Sequence, residues 1–91
     1  MANRRMLKKK INSMVNNIIE ECYSVQINNK DKHEETNKII DETVLMFNEL
    51  LERVHSVKSV QDDKEKKKLY DAINSDLEKA GLNLLKKLNK I

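Results

Sequence analysis

The chain has 91 residues, enough for one domain, and its 18 Lys and Arg against 15 Asp and Glu leave a net charge of +3. One glycine and no proline exclude folds punctuated by tight hairpins and exclude Gly-rich phosphate loops. Charged residues make up 36% of the chain, against roughly 25% in an average domain, and suit long solvent-lapped helices.

Helix one is expected from about Asn3 to Gln26. Leu7, Ile11, Met14, Ile18, Cys22 and Val25 recur three or four residues apart, a helical period, with Val15 and Ile19 widening the stripe. Its start, "RRMLKKK", places Arg4, Arg5, Lys8, Lys9 and Lys10 at the positive end of the helix dipole. Cations there cost some 0.3–1 kcal/mol each at low salt, so local helix stability does not explain them. The stretch "NNKDK" (28–32) then breaks the pattern, and Asp31 followed by Glu34 reads as a capping box for the next helix.

Helix two is expected from Lys32 to Val57. Thr36, Ile40, Thr43, Phe47, Leu50, Val54 and Val57 alternate spacings of four and three, which is a heptad seam. Val44 and Leu51 flank it on one side, Ile39 and Met46 on the other. So broad an apolar arc fits a helix packed between two others.

Helix three follows a start at Ser59–Asp63 and shows Leu69, Ile73, Leu77, Ala80, Leu84, Leu88 and Ile91 on one face. Gly81 interrupts it, at about 1 kcal/mol relative to Ala, and either close helix–helix approach or simple tolerance accounts for it better than a functional hinge. Short connections between long helices force antiparallel neighbours. The expected fold is all-α: an up-down-up antiparallel three-helix bundle of long helices, one domain over residues 1–91. Read together, "NRRMLKKKINSMVNNIIEECY", "IIDETVLMFNELLERV" and the lysine-rich third helix resemble small uncharacterised all-helical bacterial proteins. The resemblance implies the helical fold and assigns no activity and no functional residue.

Such a bundle gathers the start of helix one, the end of helix two and the start of helix three at one end. Eleven basic residues meet five acidic ones there, leaving seven basic and ten acidic elsewhere. The candidate patch for an anion or a partner comprises Arg4, Arg5, Lys8, Lys9, Lys10, Lys64, Lys66, Lys67 and Lys68. Three readings follow: a solvated end with internal pairs to Asp62, Asp63 or Glu65, an anionic partner, or self-association that matches opposite ends. For nucleic acid, a basic patch supplies sequence-blind, salt-dependent affinity. No aromatic interleaves with these lysines, so base stacking is poorly served.

Sites for chemistry are sparse. His33 and His55 lie 22 residues apart, and Glu52-x-x-His55 has no second such motif to complete a di-iron site. Cys22 sits in the helix-one stripe with no cation a turn away, which suits a buried small hydrophobe better than a nucleophile. A single cysteine cannot form an internal disulfide, in keeping with a reducing, cytoplasmic compartment. The asparagines in "INSMVNNII" break the apolar run that a signal peptide needs, and no stretch approaches a membrane span. No small-molecule substrate, cofactor or metal is expected.

Tyr23 and Ile27 lie off the helix-one stripe, and Leu82 and Leu85 off the helix-three stripe. Leu82 stands about 180° from Ile73 on the helical wheel, so Leu82 and Leu85 are the first candidates for an oligomer contact. The expected function is therefore that of a non-enzymatic protein–protein interaction module, self-associating. The alternative is a nucleic-acid-associated accessory protein that binds through the basic end.

Overall fold

The computed structural model describes residues 3–91. They form three α-helices, α1 (Arg4–Asn28), α2 (His33–Val57) and α3 (Asp63–Asn89), with a 3₁₀ turn at Lys30–Lys32 between the first two. The Asn3 side chain accepts the Met6 N–H at 2.8 Å and so starts α1. Asp62 does the same for α3, accepting the Lys64 N–H at 3.0 Å. Both satisfy amides that a helix start leaves without internal partners.

The start of α2 differs from expectation. No capping box forms between Asp31 and Glu34. Asp31 lies inside the 3₁₀ turn, Lys32 occupies the N-cap position, and no side chain caps the helix. The turn runs directly into α2 and is closed by backbone, the Lys32 N–H donating to the Asn29 carbonyl at 3.0 Å. No described residue takes a positive φ. That is how a chain with one glycine turns between long helices.

The three helices pack against one another as an up-down-up bundle, with α2 antiparallel to α1 and α3. One core cluster joins Leu7, Ile11 and Val15 of α1, Leu50, Val54 and Val57 of α2, and Ile73 and Leu77 of α3. A second joins Ile18 and Cys22, Ile39, and Leu84 and Leu88. Thr36 and Thr43 are fully buried in the α2 seam, and neither hydroxyl is orphaned. Thr43 donates to the Ile39 carbonyl at 2.7 Å, while Thr36 donates to Lys32 and His33 carbonyls and accepts from the Gln26 amide at 2.7 Å. Val44, expected to flank the seam, is exposed instead. It lies beyond the strip of α2 that α1 covers.

The helices are staggered. Lys10 reaches both Asn74 and Glu78, and Arg53 reaches Asp76, so α3 residues 74–78 lie level with Lys10. From that level α1 runs back only to Arg4, whereas α3 runs back to Asp63. At 1.5 Å per residue, α3 overhangs α1 by about 10 Å. The molecule is accordingly 51 Å long, about 10 Å more than its longest helix would span alone. At the other end the α1–α2 hairpin projects past the end of α3.

Gly81 is buried, and of the two explanations, close approach and simple tolerance, the structure shows close approach. A Cβ there would run into the Met14 thioether of α1. The missing side chain of α3 makes room for Met14.

Candidate functional site

Local helix rules do not account for the cations at the start of α1, and neither do internal ion pairs. Of the five, Lys10 alone is matched, at 2.7 Å from Glu78 and 2.7 Å from Asn74. Among the described residues, Arg4, Arg5, Lys8 and Lys9 have no carboxylate within ion-pair distance. Asp62, Asp63 and Glu65, the expected counterparts, pair with none of them. Asp62 is committed to capping α3. Compensation at this end instead comes from deeper in α3, through Glu78 and, for Arg53, through Asp76 at 2.9 Å.

Some of the unmatched cations converge on another cation. The Lys58 ammonium, at the end of α2, is held below its usual value by desolvation and then by the charges of Arg4 and Lys8. Arg4, Lys8 and Lys58 thus form a positive corner where α1 begins and α2 ends. The lysines of α3 do not extend it as one face. At 100° per residue, Lys64 and Lys68 lie on one side of the helix and Lys66 on nearly the opposite side, with Lys67 between. The sequence-level patch is therefore a corner on α1 and α2 plus a ring of lysines around the overhanging turns of α3.

A groove between α1 and α3 runs alongside this end. It encloses about 590 Å³ and is lined by apolar Met6, Met14, Ile18 and Leu85, with Lys9, Lys10, Ser13 and Asn17 at its edges. Leu85 is 36% exposed on its wall, and Leu82, one turn back along α3, is 60% exposed. The two leucines singled out from the wheel therefore belong to one face of the molecule, the α1–α3 face. Tyr23 and Ile27, the other off-stripe residues, are exposed at the hairpin tip, where with Gln26, Lys30 and His33 they line a second depression.

Sequence reasoning missed two contributors. Met6 shares the outer side of α1 with Ser13 and Asn17, and only the parallel register of α1 and α3 shows that it continues the line toward Leu85. Leu45 is 68% exposed, on the α2–α3 side beside Met46, Ala80 and Leu84. It lies about 140° from Leu50 on the wheel, a position that could have been read as off the seam.

The remaining reactive groups are isolated. Cys22 is fully buried, and its thiol is raised above the usual value by burial and then by the Glu21 charge. His33 and His55 stand at the two ends of α2, both exposed, as is Glu52. Among the described residues, no three His, Cys, Asp or Glu side chains gather as a metal site would need, and no helix is long and apolar enough to cross a membrane. No protein-family model matches the chain, and no curated protein or solved structure is measurably similar to it.

Proposed function

We propose that this bundle is a non-enzymatic protein–protein interaction module that associates with itself. The observation that carries the reading is the α1–α3 face, where Met6, Leu82 and Leu85 remain exposed around a groove floored by Met14 and Ile18. Single exposed apolar residues are ordinary, but here three share one face with a groove whose exposed uncharged polar residues, Ser13 and Asn17, are small. A core this thin also leaves only ~3–5 kcal/mol of net stability in a small domain, which association supplements. The single, buried, unpaired thiol of Cys22 suits action in the cytoplasm. The test is the paired substitution Leu82→Glu and Leu85→Glu. It is expected to abolish self-association while leaving the helical circular dichroism unchanged. Undiminished association of that variant contradicts the assignment of this face, and an unmodified chain that stays monomeric contradicts self-association itself.

A second reading, nucleic-acid association, is favoured by a separate observation: Arg4, Arg5, Lys8 and Lys9 carry charge that no carboxylate neutralises. Phosphate contacts of this kind yield affinity that falls steeply with salt. Binding to mixed-sequence duplex DNA across a salt series, with and without glutamine at those four positions, tests it. A steep slope flattened in the variant supports nucleic acid. No binding at about 50 mM salt rejects it.

A further inference from the structure

The charges of α1 are sorted by position in a way that helix stability does not reward. All its cations lie between Arg4 and Lys10, and both its carboxylates, Glu20 and Glu21, lie eleven residues after Lys9 and Lys10. Eleven residues are three helical turns within about 20°, so Lys9 and Glu20 share one line along the helix, and Lys10 and Glu21 share another. Glu20, Glu21 and Lys9 are exposed, and none of the three is ion-paired among the described residues. Between the two charged pairs the same side of α1 carries Ser13 and Asn17, both exposed, which bulk little.

We infer that the α1–α3 face of one copy docks antiparallel on the same face of a second copy, with Lys9 of each against Glu20 of the other. The inference rests on the self-association reading and names its partner, surface and register. In a two-fold antiparallel pair, matching flanks of the two helices meet, as they do across an isologous interface. Pairing Lys9 with Glu20 on one flank and Lys10 with Glu21 on the other puts the two centres one residue apart, about 1.5 Å, on either side of Val15. Ser13 of each copy then lies opposite Asn17 of the other. The α1–α3 register brings α3 into the same arrangement: Lys10 is level with residues 74–78, so Leu82 is level with Asn16. Leu82 therefore lies within about two residues of the two-fold axis and meets its own symmetry mate, while Leu85 closes the groove beside it. Lys10 keeps Glu78 as its internal partner, so the diagnostic pair is Lys9 with Glu20. The side of the rod measures at most 51 × 17 Å, so a standard interface of roughly 800 Å² per partner needs almost the full length of the bundle, as an antiparallel pair centred near its middle supplies.

A charge exchange on the full chain tests the register. Lys9→Glu and Glu20→Lys each place like charges opposite one another twice in the pair and are expected to weaken association about tenfold or more. The double variant restores the attraction and is expected to return to within about threefold of the original affinity. Neither substitution opposes the α1 dipole, so loss of association is not a folding artefact, and circular dichroism checks this directly. Leu82→Cys is expected to form an intermolecular disulfide under mild oxidation, whereas Leu45→Cys and Tyr23→Cys, on other faces, are not. A chain that is monomeric throughout overturns both this inference and the self-association reading. A chain that self-associates but ignores both charge reversals, or cross-links through Leu45→Cys or Tyr23→Cys in place of Leu82→Cys, overturns this face alone.

Discussion

At the scale of single residues, Gly81 and Met14 act as one unit. Alanine at position 81 gains about 1 kcal/mol of helix propensity, but its Cβ displaces the Met14 thioether, and forced repacking costs about 1–3 kcal/mol. Gly81→Ala is therefore expected to destabilise the protein by about 1 kcal/mol in urea unfolding. Because Met14 packs on both core clusters, Gly81→Ala is expected to cost less, or to stabilise, in a Met14→Ala background. A stabilised Gly81→Ala variant would show that Met14 moves aside without cost. Cys22 yields a second prediction. Its buried thiol should react with a small labelling reagent far more slowly in the native chain than in denaturant, and equal rates would contradict its burial. Because its folded-state value is raised, its contribution is complete below the ordinary thiol range, about pH 8.5, and is lost as pH rises beyond it. Both residues were visible as stripe positions in the sequence. That Met14 fills the Gly81 gap was not, since two separate helices have to be brought into register first.

At the scale of elements, the reversed charge order of α1 separates into two parts. Replacing Arg4, Arg5, Lys8 and Lys9 with glutamine removes charges that oppose the dipole and repel Lys58. The melting temperature is expected to hold or rise, by the equivalent of up to about 1 kcal/mol. Adding Lys10→Gln removes the bonds to Glu78 and Asn74 and is expected to cost about 0.5–1 kcal/mol, because the pair is only half-buried. A fall in stability with the first four substitutions alone would mean that those cations hold the fold together. Capping is a further check: Asp62→Ala is expected to cost about 1 kcal/mol, whereas Asp31→Ala, whose side chain caps nothing, is expected to be near neutral. The helices themselves were legible because Leu, Ile and Val recur with a 3.6-residue period. The start of α2 was misread because a capping-box pattern and a 3₁₀ turn draw on the same polar residues, and the choice depends on the angle at which α1 delivers the chain.

At the scale of the whole molecule, the up-down-up arrangement followed from long helices with short connections, but the 10 Å stagger did not. It depends on which turns of α3 pack against α1 and α2, and the Lys10 and Arg53 ion pairs report that register without being strong enough to set it. The stagger explains why the basic end is less uniform than a count of residues implies, since α3 carries its lysines out beyond the corner formed by Arg4, Lys8 and Lys58. It also brings Leu82 level with the middle of α1, where the sorted charges of that helix balance. The candidate leucines were therefore legible one helix at a time, while the face they share became visible only in the assembled bundle. Sedimentation equilibrium of the unmodified chain, from low micromolar to about 100 μM, measures the central claim directly, since most specific complexes form well below that upper limit. The account predicts a concentration-dependent rise to twice the chain mass of 10.7 kDa; a mass that stays at 10.7 kDa across the whole range contradicts it.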